Sequence, residues 1–374
     1  MRKLRDNIFH VGTAGSNAYL VKGEKTALID AVREEYADIY IQNIEEIMPV
    51  SEIDYIIFNH TEPNCSGAAG KILEINPDIE VVGTIAAIKN LKEITNTTFN
   101  EHIAKNGAVI DLGNGAALRF CIVPNLNWPD TMATYSENDR VLFSGDIFGS
   151  NYIGAADNSE EYNDALKAYF DDIISPFKPF AAKAMEKISL FEIDAVYPSR
   201  GAVIENNADA VIKKYAEWSK PMERTVKTAS VFYVSEYGYT AAMADTVCAA
   251  LSESGFEVKR FNAAECDEAE MLRALNASDA LAFGTHTINR NAAKPILNII
   301  SSLDLVSMNA APCMVFGSYG WSGEGIHIVH NQLAMMRLKP FEKPFGCILK
   351  PSRETLGELE RYTRKFADRA LTNI

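Results

Sequence analysis

Short apolar runs alternate with longer amphipathic segments from residue 226 to the end of the chain. This alternation predicts parallel strands joined by helices, which pack as a doubly wound parallel sheet. The predicted strands are ASVFYVS, FEVKRFN, ALAFGT, PCMVFGS and FGCILK. The predicted helices are TAAMADTVCAALSESG, KPILNIISSL, IHIVHNQLAMM and RETLGELERYTRKFADRAL.

The first 225 residues follow another pattern, in which several strands are joined by short turns. NAYLVKGEKTALIDA and AVIDLGNGAALRFCIVPN each predict a strand pair, and IDYIIFNH, IEVVGT and RVLFSGD predict single strands. GAAGKILEIN and SEEYNDALKAYFDDII predict helices. The pattern indicates an α/β sandwich, and the polar segment around Pro221 indicates a linker. We therefore expect one domain over residues 1–225 and another over residues 226–374.

Charge and composition exclude several classes of function. The 374 residues carry a formal net charge of -14 without a cluster of Lys and Arg, so nucleic acid is not expected as a partner. The start has no signal-peptide pattern and no run of about 18 apolar residues occurs, so we expect a cytoplasmic protein without a membrane partner. The six cysteines form no C-x-x-C pair, which argues against zinc knuckles and ferredoxin-type clusters.

Three loops that follow predicted parallel strands carry the clearest sign of a ligand. Ligands of such sheets bind beyond the carboxyl ends of the strands. The loops supply hydroxyls, a helix start suited to a phosphate, and aromatic rings suited to a planar group. Each loop alone would also fit a helix cap or loop packing, but three in this order favour a flavin nucleotide. The expected cofactor-binding residues are Ser235, Glu236, Tyr237, Gly238, Tyr239, Thr240, Thr285, His286, Thr287, Ile288, Asn289, Arg290, Ser318, Tyr319, Gly320, Trp321, Ser322 and Gly323.

These motifs resemble those of a known family. SEYGYT looks like a flavodoxin phosphate loop, and FGSYGWSGE is similar to the third flavin loop of flavodiiron proteins. VGTAGSNAYLVKGEKTALIDA, FNHTEPNCSGA, NWPDTM, LFSGDIFGS and YPSRG follow in the order that the first domain of that family requires. The resemblance covers nearly the whole chain. It implies a metallo-β-lactamase-like αββα sandwich over residues 1–225, a flavodoxin-like domain over residues 226–374, and FMN as the cofactor.

The resemblance also implies a diiron site, but the sequence departs from the family's ligand pattern. The family binds two irons through a His-x-Glu-x-Asp-His run, a His before Trp-Pro-Asp, a bridging Asp and a His after Pro-Ser. The sequence retains three of the family's ligand residues, which are His60, Glu62 and Asp146. The other ligand positions are occupied by Asn64, Cys65, Asn127 and Arg200.

The replacements predict that no diiron pair forms. Arg200 cannot lose its proton, so it cannot ligate a cation. Its guanidinium is expected to pair with Asp146 or Glu62 and to replace metal charge with side-chain charge. A single iron or zinc is the competing interpretation, with Cys65 as a thiolate ligand beside the retained residues. In a third interpretation the retained residues only hydrogen-bond one another and Arg200.

These observations predict an FMN-dependent electron-transfer flavoprotein or oxidoreductase that lacks an intact diiron centre. The alternative is an oxygen or nitric oxide reductase that uses an altered or mononuclear metal site at His60, Glu62 and Asp146. A zinc hydrolase and a scaffold for an active paralogue are further alternatives. Without C-x-x-C or G-x-G-x-x-G motifs, electrons are expected from a separate donor protein or a soluble carrier. The resemblance implies a head-to-tail homodimer, in which the flavin of one subunit faces the metal pocket of the other.

Overall fold

The computed structural model describes residues 1–372 except 14, 155, 158, 221–225, 307 and 309. The chain divides into two units, Met1–Pro221 and Met222–Ile374. The predicted linker around Pro221 and the predicted boundary between residues 225 and 226 fall on residues 221–225, which lie outside the described part. That boundary therefore stays a prediction.

The first unit contains two sheets. The first has seven strands in the order of the chain, antiparallel from β1 to β4 and parallel from β4 to β7: β1 (Arg2–Lys3), β2 (Ile8–His10), β3 (Tyr19–Lys22), β4 (Thr26–Ile29), β5 (Tyr55–Ile57), β6 (Glu80–Gly83) and β7 (Asn100–Ile103). The second has five strands in the order β12-β11-β10-β9-β8, of which only the β11 and β12 pair is parallel: β8 (Val109–Gly113), β9 (Ala116–Ile122), β10 (Met132–Ser136), β11 (Val141–Gly145) and β12 (Ala195–Pro198).

Helices cover the outer face of each sheet. They are α1 (Ala37–Glu45), α2 (Pro63–Ser66), α3 (Ala69–Ile75), α4 (Ile85–Thr95), α5 (Glu160–Tyr169), α6 (Lys178–Ile188) and α7 (Ala208–Trp218), with short 3-10 turns at Glu34–Tyr36, Val50–Glu52 and Ser175–Phe177 and a π turn at Phe170–Ile174. Two helix starts are capped by side chains: the Thr84 hydroxyl accepts a hydrogen bond from the Ala87 N–H at the start of α4, and the Ser159 hydroxyl accepts one from the Tyr162 N–H at the start of the predicted helix α5.

Alternation along the buried strands explains this layering. In β3, Tyr19 and Val21 face the second sheet while Leu20 faces helices α1, α3 and α4. In β11, Val141 and Phe143 pack between the sheets, and Leu142 packs against α5, α6 and α7. Because both faces of each sheet are apolar, the unit has four layers. The predicted αββα sandwich is confirmed.

The second unit is a parallel sheet in the order β14-β13-β15-β18-β19, with β20 also paired to β18. Its strands are β13 (Lys227–Tyr233), β14 (Phe256–Asn262), β15 (Ala280–Gly284), β16 (Thr287–Ile288), β17 (Asn291–Ala292), β18 (Pro312–Tyr319), β19 (Lys339–Pro340) and β20 (Phe345–Ile348). Its helices are α8 (Tyr239–Glu253), α9 (Glu268–Ala277), α10 (Lys294–Ser301), α11 (Glu324–Met335) and α12 (Arg353–Thr372). Helices α9, α10 and α11 pack on one face of the sheet, and α8 and α12 on the other.

This arrangement confirms the predicted doubly wound sheet and fixes where a ligand would bind. Strand β13 lies between β14 and β15, so the chain reverses direction across the sheet beside the carboxyl ends of β13 and β15. Such a switch point is the usual ligand position in this class of fold. Among the described residues, no helix is both long and apolar enough to cross a membrane.

Candidate functional site

The three predicted loops of the second unit meet around one cavity of about 590 Å³. They follow the carboxyl ends of β13, β15 and β18, which lie at the same edge of the sheet. The lining residues are Ser235, Glu236, Tyr237, Tyr239, Thr240, His286, Thr287, Ile288, Ser318, Tyr319, Gly320, Trp321 and Leu349. The expected residues outside the lining are Gly238, Thr285, Asn289, Arg290, Ser322 and Gly323.

The first loop has the features of a phosphate cradle. Gly238 precedes α8 with a φ of +79°, a left-handed conformation that glycine adopts without strain. Thr240 is buried in the first turn of α8, and the hydroxyl oxygen of Ser235 is buried without a hydrogen-bond partner among the described residues. A buried hydroxyl beside free N–H groups at a helix start fits a phosphate oxygen.

The second loop presents His286 to the cavity. The Thr285 hydroxyl donates to the His286 carbonyl oxygen at 2.8 Å and accepts from the Ala293 N–H at 3.0 Å, which fixes the start of the loop. Both ring nitrogens of His286 are buried without a hydrogen-bond partner among the described residues. Asn289 and Arg290 form the left-handed turn between β16 and β17. Thr285 and this turn thus support the loop, while His286 offers unused polar atoms to a ligand.

The third loop adds aromatic surface. Trp321 is 95% exposed, and Tyr237 of the first loop is 83% exposed at the same cavity. Two exposed rings at one cavity offer faces on which a planar group can stack. Leu349 also lines the cavity; the Ser318 hydroxyl donates to its carbonyl oxygen at 2.6 Å. Sequence reasoning missed Leu349, although its position directly after β20, the neighbour of β18, was a usable signal.

A buried cluster occupies the position of the predicted metal site in the first unit. His60 follows β5, Cys65 lies in α2 and Asp146 follows β11, and all three side chains are almost fully buried. Their candidate ligand atoms all lie within 4.8 Å of one another. Glu62 is more exposed, with Oε2 3.8 Å from His60 Nε2.

Asp146 is surrounded by donors. His60 Nε2 lies 3.2 Å from its Oδ2, Asn127 Nδ2 donates to Oδ2 at 2.9 Å, and Ser199 Oγ donates to Oδ1 at 3.0 Å. Burial alone would raise the pKa of Asp146, but the His60 charge and these hydrogen bonds outweigh it and hold the pKa below its usual range. Burial likewise opposes the charged form of His60, yet Asp146 raises the pKa of that imidazole well above its ordinary value.

The expected ion pair of Arg200 with Asp146 or Glu62 is not formed. Among the described residues, the partners of Asp146 are His60, Asn127 and Ser199. The physical reason is that a buried imidazolium and two neutral donors already satisfy the carboxylate. Arg200 instead lines a different cavity of the same unit. Sequence reasoning missed the contact of Ser199 with Asp146.

The donor set has the chemistry of a site for a metal ion. Both ring nitrogens of His60 lack a hydrogen-bond partner among the described residues, because the 3.2 Å approach to Asp146 has ion-pair distance without hydrogen-bond geometry. An imidazole, a thiol and a carboxylate within reach of one point match the donors that zinc and iron accept. Asn127, which stands at one of the family's ligand positions, donates its side-chain amide to Asp146.

Polar residues behind the cluster hold its backbone. Asp30 accepts hydrogen bonds from the Asn59 N–H at 2.8 Å and from Asn59 Nδ2 at 3.2 Å, and Thr134 Oγ1 donates to Asn59 Oδ1 at 2.8 Å. Asn59 directly precedes His60, so this network positions the imidazole. Burial raises the pKa of Asp30 to about 6.

The sandwich, the parallel sheet and the two candidate sites define a two-domain protein with a metallo-β-lactamase-like and a flavodoxin-like part. Residues 15–201 match the model of the ODP family beta lactamase, and residues 231–357 match that of flavodoxin. The chain is 33% identical over 393 residues to the flavo-diiron protein FprA2 of Clostridium acetobutylicum, covering 98% of both chains. The chain therefore belongs to the flavodiiron protein family.

Other relatives agree with this assignment. The anaerobic nitric oxide reductase flavorubredoxin of Vibrio vulnificus is 30% identical over 355 residues, which cover 90% of this chain and 71% of that protein. Among solved structures, rubredoxin oxygen:oxidoreductase of Desulfovibrio gigas superposes with a TM-score of 0.67 at 22% identity, covering 99% of this chain and 98% of that one. This last likeness supports the fold. The resemblance read from the sequence motifs is confirmed.

Proposed function

We propose that the chain is an FMN-dependent oxidoreductase of the flavodiiron family that lacks an intact diiron centre. The observation that supports the lack of a diiron centre is the environment of Asp146. The residue at the bridging position is bound to Asn127, Ser199 and His60, and two of these side chains cannot act as iron ligands in the family's manner. Asn64 and Arg200 also stand at ligand positions. Their amide and guanidinium groups cannot replace an imidazole or a carboxylate.

FMN supplies one-electron and two-electron chemistry through its isoalloxazine ring. The residues proposed to bind its phosphate are Ser235, Thr240 and the free N–H groups at the start of α8. Tyr237 and Trp321 offer their exposed faces to the ring, and His286 offers an unsatisfied ring nitrogen to its polar edge. Gly238 gives the loop the left-handed turn that close approach to the phosphate needs.

The test of this proposal is reoxidation of the reduced flavin. The purified chain is reduced without oxygen and then mixed with oxygen or nitric oxide, and the flavin spectrum is followed with and without prior chelation of metals. A flavoprotein without a working metal centre reoxidises at the same rate in both cases. A rate that falls at least tenfold after chelation would contradict the proposal.

A second candidate is reduction of oxygen or nitric oxide at a single metal ion. The unsatisfied ring nitrogens of His60 beside Cys65 and Asp146 favour it, and relatives carry the names nitric oxide reductase and rubredoxin oxygen:oxidoreductase. In this case Cys65→Ala would lower both the metal content and the reoxidation rate. The control for that variant is Cys266→Ala, because Cys266 is a half-buried cysteine of the second unit, away from the cluster.

The electron source is proposed to be a separate donor protein or a soluble carrier, since the sequence has no C-x-x-C pair and no G-x-G-x-x-G motif. A head-to-tail homodimer is proposed from the family resemblance. Light scattering coupled to size-exclusion chromatography tests it: twice the chain mass supports the dimer, and the mass of one chain contradicts it.

A further inference from the structure

A cavity of about 850 Å³ opens in the first unit beside the loop that carries Arg200. Its lining does not include His60, Cys65 or Asp146, although Ser199, the residue before Arg200, donates a hydrogen bond to Asp146. The strand register places Arg2 of β1 directly opposite His10 of β2, and both line this cavity. Two strands and the loop after β12 thus bring two arginines to one concave surface.

The charge of this surface is opposite to that of the chain. The sequence has 50 acidic and 36 basic residues, yet the lining contains Arg2 and Arg200 and no Asp or Glu among the described residues. In the described part of the chain, neither arginine forms an ion pair or a side-chain hydrogen bond. Unpaired guanidinium groups in a concave surface attract anions, and their planar fork matches a carboxylate.

The loop that carries Arg200 is held in place before any ligand binds. Asn17 Nδ2 donates to the carbonyl oxygens of Pro198 and Gly201, each at 2.9 Å. Gly201 has a φ of +83°, and a Cβ there would lie 2.2 Å from the Ser150 carbonyl oxygen. The backbone on both sides of Arg200 is therefore fixed, which lowers the entropy that binding would cost.

Apart from the N-terminal ammonium of Met1, which pairs with Glu46, the rest of the lining is apolar or neutral. Tyr36, Ile39 and Ile153 are exposed at the cavity, and the Thr13 hydroxyl is buried without a hydrogen-bond partner among the described residues. An inorganic anion would leave these apolar surfaces uncovered. A ligand with one anionic group and an apolar body would use both kinds of surface.

We infer that this cavity binds a small organic carboxylate with an apolar body, whose anionic group faces Arg2 and Arg200. Such binding does not depend on which cofactors the chain holds. Benzoate is a suitable probe, benzamide is its neutral counterpart, and chloride tests an inorganic anion.

The experiment is calorimetric titration of the full chain with these three probes. We expect benzoate to bind at one site per chain. We expect benzamide to bind at least about tenfold more weakly, since it lacks the charged group to which the arginines would donate hydrogen bonds. Arg200→Gln and Arg2→Gln are each expected to weaken benzoate binding about tenfold or more. Arg140→Gln is the control, because Arg140 pairs with Glu192 outside this cavity and its loss should leave the affinity unchanged.

Several results would overturn the inference. Absence of benzoate binding, or equal affinity for benzamide, would show that no carboxylate site exists. Competition by chloride at equal concentration would indicate an inorganic anion site instead. Loss of benzoate binding after chelation of metals would place the ligand on a metal. Because Arg2 is exposed on a two-residue strand, Arg2→Gln keeps the test valid if Arg200→Gln fails to fold.

Discussion

His60 Nε2 lies 3.2 Å from Asp146 Oδ2, and both side chains are almost completely buried. The imidazole at a retained ligand position thus neutralises the carboxylate at the bridging position. Arg200, which the sequence suggested for this role, lines another cavity. The charge of Asp146 is therefore balanced within the cluster by its ion pair with His60. Asn127 and Ser199 donate hydrogen bonds to the carboxylate oxygens.

Ser199→Ala tests this balance. The change removes the hydrogen bond to Asp146 Oδ1 and leaves a buried charged oxygen less satisfied, so we expect the free energy of unfolding to fall by about 1.5–3 kcal/mol. Urea unfolding measures it. Ser189→Ala is the control, since Ser189 is exposed and bonds only to its own helix. Equal stability of Ser199→Ala and the parent would show that Asp146 does not depend on this donor.

Asp30 gives a pH dependence with a defined sign. Its pKa rises from 3.8 to about 6 on folding, so the folded state holds the proton more tightly than the unfolded state. The favourable contribution is complete below pH 3.8 and is lost as the pH rises through about 6. We expect the stability of the parent relative to Asp30→Asn to fall by about 3 kcal/mol over this range.

Unfolding by urea at a series of pH values checks this prediction. Asp164→Asn is the matched control, because Asp164 is an exposed carboxylate in α5. If the stability of Asp30→Asn and of the parent changes in parallel between about pH 4 and pH 7, Asp30 is ionised throughout and the prediction fails.

The phosphate loop is tested by Thr240→Val. The change keeps the shape of the side chain and removes a hydroxyl that would bond to a charged phosphate, so FMN binding should weaken by about 1.5–3 kcal/mol. Fluorescence titration of the apoprotein with FMN measures the change. Thr246→Val lies on the same helix, bonds to the Ala242 carbonyl, and should bind FMN like the parent. Equal affinity for both variants would place the phosphate elsewhere.

His286→Ala is expected to lower the midpoint potential of the bound flavin. A ring N–H directed at the flavin stabilises the negative charge that develops on reduction, and alanine removes that donor. Potentiometric titration of the holoprotein measures the shift. The control is His327→Ala, an exposed histidine of α11. A potential that stays the same in His286→Ala would mean that the imidazole does not face the ring.

The sequence was sufficient to predict the sandwich of the first domain, the parallel sheet of the second and the meeting of three distant loops. That success has a physical basis, since apolar alternation identifies buried strands and the carboxyl ends of parallel strands share one edge. Several elements were missed, among them helices α1, α4, α6, α7 and α9 and the β16–β17 hairpin. The hairpin strands have two residues each, too few for a period to appear, and α9 carries many polar residues in EAEMLRALNA.

The details of the buried cluster were harder to predict because they depend on competition among partners. The hydrogen bond from Ser199 to Asp146 joins residues 53 positions apart, and no local pattern announces it. The ligand positions identified Arg200 as a candidate partner for Asp146. The ligand positions gave no indication that His60, Asn127 and Ser199 would be the partners of Asp146 in place of Arg200.

The replaced positions themselves can be restored. We expect the combined variant Asn64→Asp, Cys65→His, Asn127→His and Arg200→His to bind two irons per chain, because it rebuilds the family's ligand pattern. Asn127→His alone should not do so, since the other positions still lack donors. Iron analysis after anaerobic loading checks both variants, and a combined variant that binds no more iron than the parent would contradict the assignment of these positions.

The central claim is that the chain carries a flavin without a diiron pair, and the most direct test is the cofactor content of the parent protein grown with excess iron. Elemental analysis and release of the flavin by heat give both numbers on one sample. The account predicts one FMN and no more than one metal ion per chain. Two irons per chain would contradict it.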